Sequence, residues 1–197
     1  MANNFFALLS RMKYIERWAL MRNSRAENLS EHVAEVSILA HALCVIGNTR
    51  YGKHLDASKA ALIGLYHDAS EIITGDMPTP VKYYNQDIRA AYKQVEQIAE
   101  DRLLEKLPED LRPAYEEIFH ASDDPDEIYM RRLVKAADKL SAFIKCIEEE
   151  NAGNGEFRTA KQSLRNVMTD LSSELVEVRD FMKEFLPAYG HTLDELS

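Results

Sequence analysis

The chain has 197 residues, 46% of them hydrophobic, which suits one globular domain with a sizeable core. Glycine and proline are scarce, at 7 and 6 residues, so the composition favours an all-α fold. The net charge of −9 argues against a protein that binds nucleic acid regardless of sequence, because such a protein needs a basic surface.

No stretch of the sequence approaches the ~18 uninterrupted apolar residues of a membrane span, and the N-terminus lacks the basic region of a signal peptide. Cys44 and Cys146 lie far apart within apolar helical patterns, as buried free thiols of a reducing compartment do. We therefore expect a soluble, cytoplasmic protein without a membrane segment.

The first predicted element is a helix from Phe5 to Trp18, where apolar residues recur at helical spacing. Its end carries Arg17 and Trp18. An arginine offers a planar fork of donors suited to phosphate, and a tryptophan offers a flat face for a base or sugar. The ordinary alternative for such a pair is the edge of a core with a surface salt bridge.

The second predicted helix starts at a capping box formed by Asn28 and Glu31 and runs to a stop near Gly47. It carries His32 in its first turn. His41 follows nine residues later, about 180° around the helix at 100° per residue. The two histidines cannot share one site, so at most one of them is a ligand there.

A third helix is apolar from Ala60 to Tyr66, then carries the doublet His67–Asp68 and, one turn later, Glu71. Charged groups in such a helix are costly unless they are paired or bind a metal. Residues three and four apart share a helix face, so these three side chains should converge. Gly75 should stop the helix before a proline-flanked loop, residues 76–80.

The remaining sequence predicts four more helices: a long amphipathic one over 86–107, a short one ending near His120, one over 127–151 capped by Asp124, and one over 157–185. Asp138 lies in mid-helix among small and apolar neighbours. It needs a cation, an arginine or a cap as its partner. No linker or repeat interrupts the chain, so residues 1–197 are expected to form one domain.

The order of His32, His67–Asp68 and Asp138 resembles the H…HD…D pattern of the HD-domain metal-dependent phosphohydrolases. Further blocks resemble the bacterial 5′-deoxynucleotidases of the YfbR type in the same order along nearly the whole chain. These blocks are Glu16-Arg17-Trp18, Ser30-Glu31-His32, Tyr66-His67-Asp68-Ala69-Ser70-Glu71, Gly75-Asp76-Met77-Pro78-Thr79-Pro80-Val81-Lys82-Tyr83 and Lys135-Ala136-Ala137-Asp138.

The resemblance implies an HD-domain helical bundle that hydrolyses deoxyribonucleoside 5′-monophosphates with a divalent metal and assembles as a homodimer. It makes His32, His67, Asp68 and Asp138 the metal ligands, Glu71 the catalytic carboxylate and Arg17 the residue that orients the phosphate. Trp18, Asp76, Met77, Pro78 and Thr79 would line the nucleoside pocket.

Ligand chemistry agrees with this implication. Two imidazoles and two carboxylates roughly neutralise a divalent ion, and one ion is expected because the spare histidines lie elsewhere. Cobalt is the first candidate, with Mn, Zn, Ni and Fe as alternatives. Whether Glu71 acts as base, acid or water-positioning group stays open at this point.

Three alternatives follow from the same residues. The protein could be an HD hydrolase of nucleoside triphosphates or cyclic dinucleotides, although only Arg22, Arg25 and Lys82 would add positive charge near the site. It could be a regulatory module that binds metal and nucleotide without turnover. In the third alternative, His67, Asp68, Glu71 and Asp138 form only a buried polar network of a helical bundle.

Overall fold

In the computed structural model, the chain is described at residues 3–82 and 84–197, without the side chains of Thr79 and Pro80. The helices are α1 (Phe5–Leu9), α2 (Leu29–Tyr51), α3 (Ala57–Tyr66), α4 (Glu71–Thr74), α5 (Thr79–Lys82), α6 (Gln86–Leu104), α7 (Arg112–Phe119), α8 (Pro125–Asn151), α9 (Arg158–Glu174) and α10 (Val176–Glu184). Two short strands, β1 (Glu16–Arg17) and β2 (Glu27–Asn28), pair antiparallel. The all-α prediction is confirmed.

Helices α2 and α8 form the centre of the molecule. Their apolar faces pack with those of α3, α9 and α10 into one core that includes Leu43, Leu133, Leu140 and Leu175, all without exposed surface. Helix α2 is long and apolar enough to cross a membrane, but half of that stretch is buried within the protein. Its apolar character is therefore that of a core helix.

The helix starts predicted at Asn28 and Asp124 are confirmed. Asn28 accepts a hydrogen bond from the backbone N–H of Glu31, and the Glu31 side chain accepts one from the backbone of Asn28, which completes the capping box of α2. Asp124 caps α8, with Pro125 as its first residue. The stop predicted near Gly47 is wrong, because α2 continues to Tyr51 and ends at Gly52 in the left-handed region, at φ +64°.

The first predicted helix is wrong beyond Leu9. The chain makes a short 3₁₀ turn over Ser10–Tyr14 and then becomes extended, because residues 16 and 17 pair with β2 instead of continuing the helix. Trp18 follows with φ +57°, a conformation that few non-glycine residues adopt. Arg17 and Trp18 are therefore presented by a strand and a tight turn.

The third and last predicted helices are each divided in two. Helix α3 ends at Tyr66, and tight turns lead through His67 and Asp68 to α4. The single helix predicted over 157–185 is broken at Leu175, which is extended and fully buried, so that α10 folds back against α2. The long helix predicted to reach residue 107 ends at Leu104.

Candidate metal and phosphate site

Four predicted ligands meet where three helical segments converge. His32 lies in the first turn of α2, His67 and Asp68 directly follow α3, and Asp138 lies in the middle of α8. The Nε2 atom of His32 is 3.3 Å from Oδ1 of Asp138 and 3.6 Å from Oδ2 of Asp68. The Nε2 atom of His67 is 3.1 Å from Oδ2 of Asp68 and 4.0 Å from Oδ1 of Asp138.

These separations match the spacing of a ligand set. Donors about 2.1 Å from a tetrahedral ion lie about 3.4 Å from one another. The side-chain donors of His32, His67 and Asp68 lie within 4.8 Å of one another, as a shared ion requires. The two Nε2 atoms are buried and have no hydrogen-bond partner among the described residues. Because buried polar atoms are rarely left without partners, the cluster fits a divalent metal ion.

The other ring nitrogens are occupied. Nδ1 of His67 is 2.7 Å from the carbonyl oxygen of Gly64, which can only accept a hydrogen bond. Nδ1 of His32 is 3.0 Å from the hydroxyl of Ser141, and that hydroxyl donates to Glu35 at 2.6 Å. Each imidazole is thus held with Nε2 toward the carboxylates, as metal-binding histidines usually are.

The pKa values of the four predicted ligands depend on burial and on their closeness to one another. Burial lowers the pKa of His32 and keeps the ring neutral. Burial alone would raise the pKa of Asp138, but the neighbouring His32 and the charge of Lys139 hold it well below its usual range. Burial also opposes protonation of His67, yet Asp68 and Asp138 raise its pKa to about 9. A metal would have to displace that proton.

Glu71, the first residue of α4, is 6% exposed, and its Oε2 atom is buried without a partner among the described residues. Burial and the like charges of Asp68 and Asp76 raise the pKa of Glu71 to about 9. Without a metal, this carboxyl therefore holds a proton at neutral pH.

Arg17 points into the same region from β1. Its Nη1 atom is 2.9 Å from Oε1 of Glu27, which lies directly opposite in β2, and both side chains are 11% exposed. Its Nε atom is buried and has no hydrogen-bond partner among the described residues. Although burial alone lowers the pKa of Arg17, Glu27, Asp138, Asp68 and Asp76 together raise it. The guanidinium is thus anchored at one end and keeps a donor for a ligand.

The residues predicted to line the nucleoside pocket differ in their exposure. The Trp18 ring is half-buried and stands edge-on to Phe157 at a centroid distance of 5.3 Å. Asp76 and Met77 are half-buried, and Pro78 is exposed. Burial raises the pKa of Asp76, although Arg17 and a backbone hydrogen bond from Trp18 lower it. The side chain of Thr79 lies outside the described residues.

His67 and Asp138 also border a cavity of about 260 Å³. Its other walls include Tyr66, Glu100, Arg131 and Lys135, to which the sequence assigned no role. The sequence also did not single out Glu27, Glu35 and Ser141. A signal existed for two of them, since Glu35 and Ser141 each follow a predicted ligand by three residues and so share its helix face.

The fold is that of the HD-domain phosphohydrolases. The solved structure of such an enzyme from Listeria innocua superposes with a TM-score of 0.79 at 21% identity, covering 94% of this chain and 88% of that one. The cyanophage S-2L HD phosphohydrolase DatZ, solved with dA and one catalytic Zn²⁺ ion, superposes with a TM-score of 0.64 at 19% identity, covering 94% and 96%.

Sequence comparison narrows this class further. A family model described as 5′-deoxynucleotidase YfbR-like matches residues 4–189. A 5′-deoxynucleotidase of Erwinia tasmaniensis is 47% identical over 197 residues, covering 99% of this chain and 96% of that protein. The chain belongs to the YfbR-like 5′-deoxynucleotidase family.

Proposed function

We propose that this chain is a metal-dependent 5′-deoxynucleotidase, which hydrolyses deoxyribonucleoside 5′-monophosphates to deoxyribonucleosides and phosphate. Relatives that bear this name match it over nearly their whole length. The observation that carries the proposal is the pair of buried, unpartnered Nε2 atoms of His32 and His67 facing Asp68 and Asp138. Beside them lie an anchored arginine and a protonated carboxyl.

His32, His67, Asp68 and Asp138 would hold one divalent ion. When bound, such an ion polarises the phosphoryl group and lowers the pKa of a water that it coordinates. Mixed nitrogen and oxygen ligands suit cobalt, our first candidate, and also Mn, Zn, Ni and Fe. The DatZ structure carries Zn²⁺.

Arg17 and Glu71 would have separate roles, phosphate binding and proton donation. Arg17, held at one end by Glu27, would bind the non-bridging phosphate oxygens and neutralise their charge as the phosphoryl group transfers. The sequence left the role of Glu71 open. Because burial itself raises the pKa of this carboxyl, we assign it the proton that the leaving 5′-oxygen takes up.

Trp18, Asp76, Met77, Pro78 and Thr79 would line the nucleoside pocket. Discrimination against ribose requires a filled space at C2′, and the half-buried Trp18 ring, fixed against Phe157, is our candidate for it. Replacing Trp18 with Ala should then raise activity on ribonucleotides relative to deoxyribonucleotides. An unchanged ratio of the two kcat/KM values would remove Trp18 from this role.

We favour a monophosphate over a triphosphate as the substrate. Besides Arg17, the three basic residues that lie close to the site in sequence are each paired with a carboxylate: Arg22 with Glu156, Arg25 with Glu31, and Lys82 with Glu96. Binding three phosphates would require several of these cations to be available.

We also propose that the chain is one domain, cytoplasmic, and a homodimer that does not bind nucleic acid. Ile38 on α2 and Leu62 and Leu65 on α3 are exposed by 70%, 44% and 38%, and in sequence they adjoin Ser37 and Gly64, where the two helix backbones come close. A second copy would cover this apolar surface. Ile38→Glu should shift the sedimentation coefficient to that of a monomer, whereas Ile98→Glu, on exposed α6 surface, should not.

The deciding experiment measures phosphate release from deoxy- and ribonucleoside 5′-monophosphates after EDTA treatment and restoration with Co, Mn, Zn or Mg. We expect metal-dependent release confined to deoxy substrates, lost in Glu71→Ala and retained in the exposed control Glu109→Ala. Equal turnover of ribonucleotides would refute the deoxy specificity. Nucleotide binding without release, with any metal, would indicate the regulatory module, and pyrophosphate or triphosphate from triphosphates would indicate the other hydrolase class.

A further inference from the structure

A buried chain of two hydrogen bonds connects His32 to Glu35 through Ser141. The Ser141 hydroxyl, on α8, is 3.0 Å from Nδ1 of His32 and 2.6 Å from Oε2 of Glu35, both on α2. Ser141 has no exposed surface, and Glu35 is half-buried. The chain therefore runs between helices in a place that water does not reach freely.

The direction of these bonds follows from the chemistry of the groups. An ionised carboxylate can only accept, so the single hydroxyl proton of Ser141 points to Glu35. The hydroxyl oxygen then faces Nδ1 with its lone pairs and accepts the proton of that nitrogen. His32 is thereby held as the tautomer in which Nε2 carries a lone pair.

We infer that Glu35 and Ser141 are positioning residues, which fix the tautomer and ring orientation of His32 so that Nε2 can bind the metal. The inference rests on the proposed metal site. His67 needs no such device, because its Nδ1 faces a backbone carbonyl that can only accept. His32 instead faces a hydroxyl, which can donate or accept, so Glu35 decides which it does.

Removal of either group has a defined consequence. Without Glu35, Ser141 can donate to Nδ1, which places the ring proton on Nε2, where it blocks coordination. Without Ser141, the nearest carboxylate oxygen to Nδ1 is Oε1 of Glu27 at 3.6 Å, too far for a good hydrogen bond and already bound to Arg17 at 2.9 Å. His32 would then lose its fixed orientation.

The test measures Co²⁺ and Zn²⁺ affinity by competition with a chelating dye for Glu35→Ala, Glu35→Gln and Ser141→Ala. We expect Glu35→Ala and Ser141→Ala to bind each ion about 10- to 100-fold more weakly than the wild type. Glu35→Gln should stay within about threefold, because its amide oxygen still accepts the hydroxyl proton. The matched control is Ser37→Ala, which removes the hydrogen bond from α2 to the carbonyl of Ala61 but does not contact His32.

A second readout requires neither metal nor turnover. In protein with ¹⁵N-labelled histidine and no metal, the nitrogen shifts of His32 should report a proton on Nδ1 in the wild type and in Glu35→Gln. They should report a proton on Nε2 in Glu35→Ala. Wild-type metal affinity and tautomer in both alanine variants would overturn the inference, as would a Glu35→Gln defect equal to that of Glu35→Ala. If the wild type releases no phosphate, the proposed activity fails while these measurements still decide the role of Glu35.

Discussion

The close approach of α2 and α3 at Gly64 makes a sharp prediction about the metal site. A Cβ at Gly64 would lie 2.9 Å from Cα and 3.1 Å from N of Ser37, and both of these are backbone atoms. The shorter distance is about 0.5 Å below the 3.4 Å at which ordinary contact begins. Since helix backbone cannot rotate aside as a side chain can, Gly64→Ala should push the two helices apart.

Opposing contributions set the effect on stability. Alanine in place of glycine stabilises a helix by about 1 kcal/mol, whereas overpacking costs about 1–3 kcal/mol. We therefore expect the free energy of unfolding to fall by at most about 2 kcal/mol, with a decrease in Tm of a few degrees. Circular dichroism in a urea titration would measure this change.

The effect on metal affinity should be larger than the effect on the free energy of unfolding. The displacement separates His67, just after α3, from His32 on α2, and metal–ligand distances tolerate only about ±0.2 Å. We expect Co²⁺ affinity to fall at least about tenfold. The matched control is Gly47→Ala, about 22 Å along α2 from His32, where the new Cβ meets only the side chain of Glu177. Wild-type Co²⁺ affinity in Gly64→Ala would refute the reasoning.

Three further predictions concern the anchor of Arg17, the buried carboxylate of Glu149 and the metal. Glu27→Ala should raise KM about tenfold and leave metal affinity unchanged, because Arg17 loses its anchor. Steady-state kinetics with an unaltered KM would contradict this. Burial alone would raise the pKa of Glu149, but Lys145, the N–H of Ser24 and Asn154 lower it to about 2, below its usual 4.5. The ionised carboxylate therefore stabilises the fold fully above pH 4.5, and this stabilisation is lost toward pH 2. In urea titrations, Glu149→Gln should lower the free energy of unfolding by about 2–3 kcal/mol at pH 7, and by progressively less below pH 4.5. Removing the metal with EDTA should lower Tm, and adding Co²⁺ at about 100 times its Kd should raise the free energy of unfolding by about 2.7 kcal/mol. An unchanged Tm would argue against a metal held by the folded state.

Local signals in the sequence predict much of the scaffold. The Asn28–Glu31 capping box and the Asp124–Pro125 start each depend on residues within one turn, and both are confirmed. The HD-domain fold was implied by the family resemblance that the ordered His and Asp residues carry, and the solved relatives confirm it. These features need no knowledge of distant contacts.

Elements that depend on distant partners were predicted less well. Residues 16 and 17 have helical spacing with their neighbours, yet they pair with a strand ten residues away. Leu175 interrupts the last helix because its burial and the packing of α10 on α2 outweigh the local helical preference. Glu27 was missed for the same reason, since only the register of β1 and β2 places it opposite Arg17.

At the end of α3, the side chain of one predicted ligand, His67, alters the backbone that carries it. In a continued helix, the N–H of Asp68 would bond to the carbonyl of Gly64, but the imidazole of His67 binds that carbonyl at 2.7 Å. The backbone then turns more tightly, with the N–H of Ala69 bonded to the carbonyl of Tyr66 and that of Glu71 to the carbonyl of Asp68. Helical spacing alone would have predicted a straight helix through the doublet. The tight turns instead bring Asp68 against both histidines and leave Glu71 to begin a separate helix, so the hydrogen bond that orients one ligand also sets the position of the next.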